Sequence, residues 1–174
     1  MIYVYLGNEV NIIKMKINDL ISSLDIKNII NYDYSNTSIK EILEEVCYVD
    51  LFNEKKLIIV SSFTFKKMKD KDKESFMKYI DNMNDNIIIF KCIDEKLDSK
   101  DNLIKKIKDK CNIVEVVKMD YKNTHEFITK ILKDNGFNVS YDVVKKILNL
   151  CENNADYALN EIEKLMLYKI DDKN

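Results

Sequence analysis

The sequence has 174 residues, with 28 lysines, 30 acidic residues and a formal net charge of −2 at pH 7. It contains no proline, no tryptophan and no arginine, and its two glycines are Gly7 and Gly136. A glycine-rich phosphate loop needs neighbouring glycines and an arginine finger needs arginine, so the usual nucleotide-hydrolysing sites are excluded. The near-neutral charge provides no general attraction to nucleic acid or to anionic membranes.

The first two thirds of the sequence alternate apolar runs with amphipathic stretches. Five apolar runs predict strands at residues 2–6, 29–32, 57–60, 87–90 and 113–117. Apolar residues at helical spacing predict helices between them, at residues 9–24, 38–47, 74–83 and 97–110. Ser38, with Glu41 three residues later, forms a capping-box signal. Such alternation implies right-handed crossovers between parallel strands. Residues 1–119 are therefore predicted to form an α/β unit with a five-stranded, mostly parallel sheet.

Beyond residue 119 the pattern is helical only. Asn123, followed by Glu126, is predicted to cap a first helix, which ends at Gly136. Ser140 and Asn154 are predicted to begin a second and a third helix, each with an apolar stripe. Residues 120–174 therefore predict a small three-helix unit.

The turn after the first predicted strand is where a nucleotide site would lie, because ligands of open parallel sheets bind beyond the carboxyl ends of the strands. A phosphate loop reads Gly-x-x-x-x-Gly-Lys followed by Ser or Thr. Aligned on Gly7, the second glycine becomes Ile12 and the lysine becomes Ile13. The strand at residues 57–60 ends in Ser61, where such ATPases place a carboxylate. The residues we assign to this degenerate nucleotide loop are Gly7, Asn8, Glu9 and Lys14, and we expect no bound cofactor.

The other chemistry-bearing residues predict solvated surfaces, with no catalytic residue among them. The lone His125 is predicted at a helix start as a solvated or capping-region residue, and no nucleophile is tied to it in sequence. Two lysine-dense stretches, residues 66–73 and 100–110, each hold five lysines and two aspartates. These stretches predict solvated faces, with weak phosphate contact as the alternative. The four cysteines lack CxxC or metal-ligand spacing, so we expect free thiols of a reducing cytoplasm and no metal site.

One apolar pair stands outside the predicted helices and strands. Leu51 and Phe52 lie between the helix ending near Cys47 and the strand at residues 57–60. Both side chains could fold back onto the core. Alternatively, they form an exposed anchor that enters a pocket on a partner, as interface hot spots do. Composition alone leaves both readings open.

Four segments of the sequence resemble the bacterial DNA polymerase III delta subunits, the clamp-loader subunits that open the sliding clamp. Residues 5–9 resemble the opening of the family, and residues 50–60 resemble its Ser-Leu-Phe-type segment before an apolar strand. Residues 135–140 resemble the joint between the lid helices, and residues 160–168 match the Asn-Glu-x-x-Lys-Leu-x-x-Tyr end of the lid. The resemblance covers the whole chain and roughly the amino-terminal two thirds of the family. The sequence departs from the family pattern at Asp50, where many relatives carry Ser or Thr, and in its lack of arginine.

The resemblance implies a RecA-like domain of the AAA+ type at residues 1–119 and a three-helix lid at residues 120–174. Nothing in the sequence matches the helical collar domain of the family, so we expect the natural chain to be longer. In the family, residues matching Leu51 and Phe52 enter a hydrophobic pocket on the clamp, flanked here by Asp50 and Asn53. The implied partners are the sliding clamp (beta subunit), the tau/gamma and delta prime loader subunits, and primed DNA only through the assembled loader.

These expectations combine into one prediction with two alternatives. We predict a non-catalytic, cytoplasmic subunit of the polymerase III holoenzyme that opens the sliding clamp, does not hydrolyse ATP and does not associate with membranes. The first alternative is an enzyme that binds nucleotide through a divergent phosphate loop. The second is a DNA-binding module that uses the two lysine-dense stretches.

Overall fold

A computed structural model of the chain describes residues 1–48, 54–93 and 97–168. The strands are β1 (Ile2–Gly7), β2 (Asn28–Asp33), β3 (Lys56–Ser61), β4 (Ile87–Ile93) and β5 (Asn112–Val116). The α-helices are α1 (Val10–Ser23), α2 (Ile39–Cys47), α3 (Asp70–Asp81), α4 (Asn102–Lys110), α5 (Tyr121–Asp134), α6 (Tyr141–Leu150) and α7 (Ala155–Tyr168). One short 3-10 turn, Phe65–Lys67, precedes α3.

The five strands form one sheet in the order β2-β3-β4-β1-β5, and every pair is parallel. In the centre, Ile88 of β4 is in register with Ile2 of β1 and with Ile58 of β3. All three side chains are fully buried. Strands covered on both faces read as continuous apolar runs, which is why β3 and β4 were recognisable in the sequence. The predicted α/β fold with a five-stranded, mostly parallel sheet is confirmed.

Four phenylalanine rings pack against one another in the hydrophobic core beside this sheet. The ring of Phe90 lies 4.3 Å from that of Phe63 and 5.3 Å from that of Phe76, measured between centroids. Phe65 packs edge-on against Phe63, with 4.8 Å between the ring centroids. Burying each such ring contributes roughly 1.5–3 kcal/mol, so this group is a main support of the sheet.

The helix ends follow capping chemistry, with corrections to the sequence prediction at α5 and at α4. The capping box of Ser38 and the glycine turn at Gly136, which has φ +82°, are both present. The predicted cap at Asn123 is wrong, because Asp120 caps α5 and accepts a hydrogen bond from the backbone N–H of Asn123 at 2.8 Å. Helix α4 begins later than predicted, because Asp101 caps it and accepts from the N–H of Leu103.

The chain divides into two compact units. Unit 1 comprises Met1–Asn8 and Lys16–Val116, and it contains the sheet with α2, α3 and α4. Unit 2 comprises Glu9–Met15 and Val117–Asn174, so the first residues of α1 group with α5, α6 and α7. The domain boundaries expected from the sequence, at residues 1–119 and 120–174, stay a prediction. Within the described ranges, no helix has the length and apolar character needed to cross a membrane.

Candidate functional site

The residues expected to contact the clamp, Asp50, Leu51, Phe52 and Asn53, lie outside the residues that the structure describes. The residues on both sides of them are described. Helix α2 ends at Cys47 and is followed by Tyr48, which is 63% exposed. Strand β3 begins at Lys56, whose backbone and side chain are buried. We call residues 50–53 the clamp-binding segment, after the role predicted from the sequence.

The side chain of Lys56 links the two flanks of this segment. Its Nζ atom lies 2.7 Å from Oε1 of Glu45 and 4.6 Å from the centroid of the Tyr48 ring. The lysine charge is thus neutralised by a carboxylate on α2 and covered by an aromatic face. Lys56, the first residue of β3, is thus held against Tyr48, the residue that follows α2.

A second link is made by Asn86, which is buried just before β4. Its Oδ1 atom accepts a hydrogen bond from the backbone N–H of Lys56 at 2.9 Å, and its Nδ2 atom donates to the carbonyl oxygen of Val46 at 2.7 Å. We call Glu45, Val46, Tyr48, Lys56 and Asn86 the segment base. This group holds the end of α2 against the start of β3.

Replacing Asn86 with alanine is expected to lower the free energy of unfolding by about 2–3 kcal/mol. The substitution leaves the buried N–H of Lys56 without an acceptor, and an unsatisfied buried group costs about 1–3 kcal/mol. Urea unfolding followed by circular dichroism measures the effect. Asn36→Ala, at an exposed turn of the same unit, serves as the control and should change stability by less than about 0.5 kcal/mol. Equal effects of the two substitutions would contradict the role assigned to Asn86.

The degenerate nucleotide loop contains Gly7, which the packing of the sheet requires. Gly7 has φ +142°, and a Cβ atom at this position would lie 2.2 Å from the carbonyl oxygen of Val116 on the neighbouring strand β5. Ile12 and Ile13, which replace the second glycine and the lysine of a phosphate loop, are completely buried. Asn8 and Lys14 are exposed. The loop thus has branched apolar side chains at the two positions where a phosphate loop has its second glycine and its lysine.

The start of helix α1 already holds a carboxylate. Oδ1 of Asp156 accepts hydrogen bonds from the backbone N–H groups of Asn11 at 2.6 Å and of Ile12 at 3.1 Å. Free N–H groups at a helix start are the groups that bind phosphate in nucleotide-binding proteins. Sequence reasoning missed Asp156, because it lies 145 residues from Asn11 and no local pattern links the two.

Glu9 lies immediately before α1 and is 95% buried, since 5% of its surface is exposed. Its Oε2 atom has no hydrogen-bond partner among the described residues. Burial raises the pKa of the Glu9 carboxyl, and the nearby charge of Asp156 raises it further. A hydrogen bond from the backbone of Asp156 and the charge of Lys118 act in the opposite direction without cancelling the rise. Glu9 therefore holds its proton to a higher pH than an ordinary glutamate.

The raised pKa of Glu9 predicts a stability change with pH. A group whose pKa is higher in the folded than in the unfolded protein contributes stability below its unfolded pKa, and this contribution is lost as the pH rises through the folded pKa. Glu9→Gln, which is always neutral, should therefore have a higher urea midpoint than the wild type at pH 7. The difference should shrink as the pH falls towards 4, the ordinary glutamate range. The exposed Glu163→Gln is the control, and a pH-independent difference for Glu9→Gln would contradict the assignment.

The carboxyl ends of β2 and β3 carry only small polar groups and one exposed carboxylate. β3 ends at Ser61, and Ser62 beyond it has φ +55°. Asp33, the last residue of β2, accepts hydrogen bonds from Ser35 Oγ at 2.6 Å and from its backbone N–H at 2.9 Å. These bonds lower the pKa of the Asp33 carboxyl. In the described part of the chain, no three His, Cys, Asp or Glu side chains come together to form a metal site.

The two lysine-dense stretches are partly neutralised by ion pairs between α3 and the region of α4. Asp81 of α3 pairs with Lys106 at 2.6 Å and with Lys110 at 2.9 Å. Lys73 of the first stretch pairs with Asp101 at the start of the second. Such pairing fits solvated helix faces and leaves fewer lysines available for phosphate contacts.

The predicted solvent exposure of His125 is wrong. Its ring is buried in unit 2 and stacks on Tyr141, with 4.1 Å between the ring centroids. Its Nε2 atom lies 3.2 Å from the carbonyl oxygen of Tyr141. The histidine lies on the second turn of α5 and packs against the start of α6, so it serves the packing of these helices.

Comparison with known proteins gives a family match, and the solved structures of similar fold include one from Bacillus subtilis and one from Thermotoga maritima. The model of the family described as "DNA polymerase III, delta subunit" matches residues 3–117, well over half of the chain. The Bacillus subtilis DNA clamp loader delta protein YqeN is 17% identical with a TM-score of 0.72, and the match covers 99% of this chain and 54% of that one. A mutant RuvB from Thermotoga maritima is 10% identical with a TM-score of 0.52, covering 100% of this chain and 58% of that one.

These matches differ in what they support. No curated protein sequence matches the chain. At identities of 17% and 10%, the two solved structures show a shared fold, which is the AAA+-like arrangement of a parallel sheet with helices. The chain spans little more than half the length of either structure. The family match includes the clamp-binding segment and the whole segment base.

Proposed function

Because this chain belongs to the DNA polymerase III delta subunit family, we propose that it binds the sliding clamp and opens it during DNA replication. The observation that carries the proposal is the family match over residues 3–117, which includes Leu51 and Phe52 and both flanks that hold them. An aliphatic–aromatic pair such as Leu51 and Phe52 is the kind of anchor that supplies most of the energy of an interface. Asp50 and Asn53 flank the pair and form the polar rim.

Clamp opening follows from binding one state of the clamp better than another. A protein shifts a partner between two conformations only by its difference in affinity for them. We propose that Leu51 and Phe52 fill a hydrophobic pocket that is better formed when the adjoining clamp interface is distorted. The segment base supports this, because an anchor held at both ends loses little conformational freedom on binding.

The nucleotide loop supports a subunit that works without ATP of its own. Ile12 and Ile13 stand where a phosphate loop has its second glycine and its lysine, and Asp156 places a negative charge at the start of α1. ATP would act through other loader subunits, and primed DNA would be contacted only through the assembled loader. We propose a non-catalytic subunit of the polymerase holoenzyme in the cytoplasm. Both alternatives have weaker support, since Asp156 occupies the helix start and several lysines are ion-paired.

A pull-down of the purified sliding clamp by the tagged chain tests the proposal. We expect the clamp to be retained in a saturable manner, and a folded chain that retains no clamp would contradict clamp binding. Two further titrations test the alternatives. Saturable binding of Mg-ATP in calorimetry would favour the nucleotide-binding enzyme, and tight DNA binding in a gel shift at physiological salt would favour the DNA-binding module.

A further inference from the structure

The first turn of α1 is capped by a side chain from the first turn of α7, within unit 2. The first N–H groups of a helix have no partner inside the helix. Those of Asn11 and Ile12 both donate to Oδ1 of Asp156, on the first turn of α7. The side-chain amide of Asn11 also donates to Oδ2 and to the carbonyl oxygen of Asp156, each at 3.3 Å.

A second carboxyl lies beside this cap. Glu9, directly before α1, is buried, and the nearby charge of Asp156 is one of the causes that raise its pKa. The start of α1 is therefore supplied with a carboxylate from the start of α7. A negative charge at a helix start is favourable, because the helix dipole places partial positive charge there.

We infer that Asp156 is a resident anion that takes the place of a nucleotide phosphate at the start of α1 and holds unit 2 together without any ligand. In phosphate-binding proteins the anion at such a helix start arrives and leaves with the ligand. Here the anion is part of α7, so the first turn of α1 stays attached to the C-terminal helices at all times. The inference rests on unit 2 alone and does not depend on clamp binding.

The inference predicts that phosphate can replace the carboxylate once it is removed. The test compares Glu9→Gln with the double variant Glu9→Gln/Asp156→Ala in the 174-residue chain, so that no buried Glu9 charge repels the probe. Loss of the cap should speed hydrogen exchange at the Asn11 and Ile12 amides about tenfold and lower Tm by about 3–6 °C. Inorganic phosphate at millimolar concentration, with sodium chloride at equal ionic strength as the reference, should reverse both changes. It should not affect Glu9→Gln alone.

The matched control removes a different helix cap of the same unit. Asp120 accepts from the N–H of Asn123 at the start of α5, so Glu9→Gln/Asp120→Ala should also lower Tm. Its Asn11 and Ile12 amides should exchange as slowly as in Glu9→Gln, and phosphate should not restore its Tm. Unchanged exchange after loss of Asp156, or no reversal by phosphate, would overturn the inference.

A milder substitution keeps the test decisive if the alanine variant does not fold. Asp156→Asn, in the same Glu9→Gln background, retains an acceptor oxygen but removes the charge. We expect this variant to fold, to exchange faster than Glu9→Gln at Asn11 and Ile12, and to be stabilised by phosphate. Exchange as slow as in Glu9→Gln, together with no response to phosphate, would refute the resident-anion role.

Discussion

Replacing Leu51 and Phe52 together by alanine should lower the affinity for the sliding clamp about 30- to 900-fold, equivalent to about 2–4 kcal/mol. Truncating a buried aliphatic–aromatic pair removes apolar contact area and leaves the pocket of the partner unfilled. Surface plasmon resonance with immobilised clamp measures the change. Most of it should appear as faster dissociation, because substitutions within one interface act mainly on the dissociation rate.

A control variant separates this effect from a general loss of exposed apolar surface. Leu150 and Leu167, in unit 2, are 85% and 74% exposed. Leu150→Ala/Leu167→Ala removes exposed apolar surface from unit 2 and should leave clamp affinity unchanged. Equal affinities of the Leu51→Ala/Phe52→Ala variant and the wild type, with intact circular dichroism spectra, would exclude these two residues as the anchor.

Gly7→Ala should lower the free energy of unfolding by about 2–4 kcal/mol. The new Cβ atom would lie 2.2 Å from the carbonyl oxygen of Val116, and the backbone has φ +142°, which suits glycine alone. Strand β5 is paired with β1 from Tyr3 to Gly7, so relief of the clash requires the end of this strand pair to move. Urea unfolding measures the loss.

The second glycine provides the comparison. Gly136 has φ +82° and follows the end of α5. Gly136→Ala should therefore cost only about 1 kcal/mol, the usual strain of the left-handed conformation. If Gly7→Ala were as mild as Gly136→Ala, the close approach of β1 and β5 would not be what requires a glycine at residue 7.

Gly7 and Ile12 explain why the chain keeps the strand–glycine–helix arrangement of a nucleotide site but lacks residues that bind phosphate. Gly7 is needed by the sheet whether or not a nucleotide binds, because the carbonyl of Val116 leaves no room for a side chain. The second glycine of a phosphate loop is needed only for the close approach of a phosphate. Once Asp156 occupies the helix start, the space beside it can hold the fully buried side chain of Ile12.

The sequence by itself determined the element order, the α/β class and most helix ends. These features depend on local signals: apolar runs for buried strands, apolar spacing for helices, and the capping chemistry of Ser38, Asn154 and Gly136. Local signals failed where two caps competed, as for Asp120 and Asn123, because both residue types favour a helix start. The resemblance to the delta subunit family was also local, and the family match confirmed it.

Only the tertiary structure decided which distant side chains meet. Asp156 reaches the start of α1 across 145 residues, and Asn86 joins Lys56 to Val46 across 30 and 40 residues. Burial of Glu9 and His125 also depends on what packs around them. Sequence periodicity reports which face of an element is buried, but it does not report which residue of another element lies opposite. The contacts that shape the nucleotide loop and the segment base therefore could not be predicted from the sequence and are known only from the folded structure.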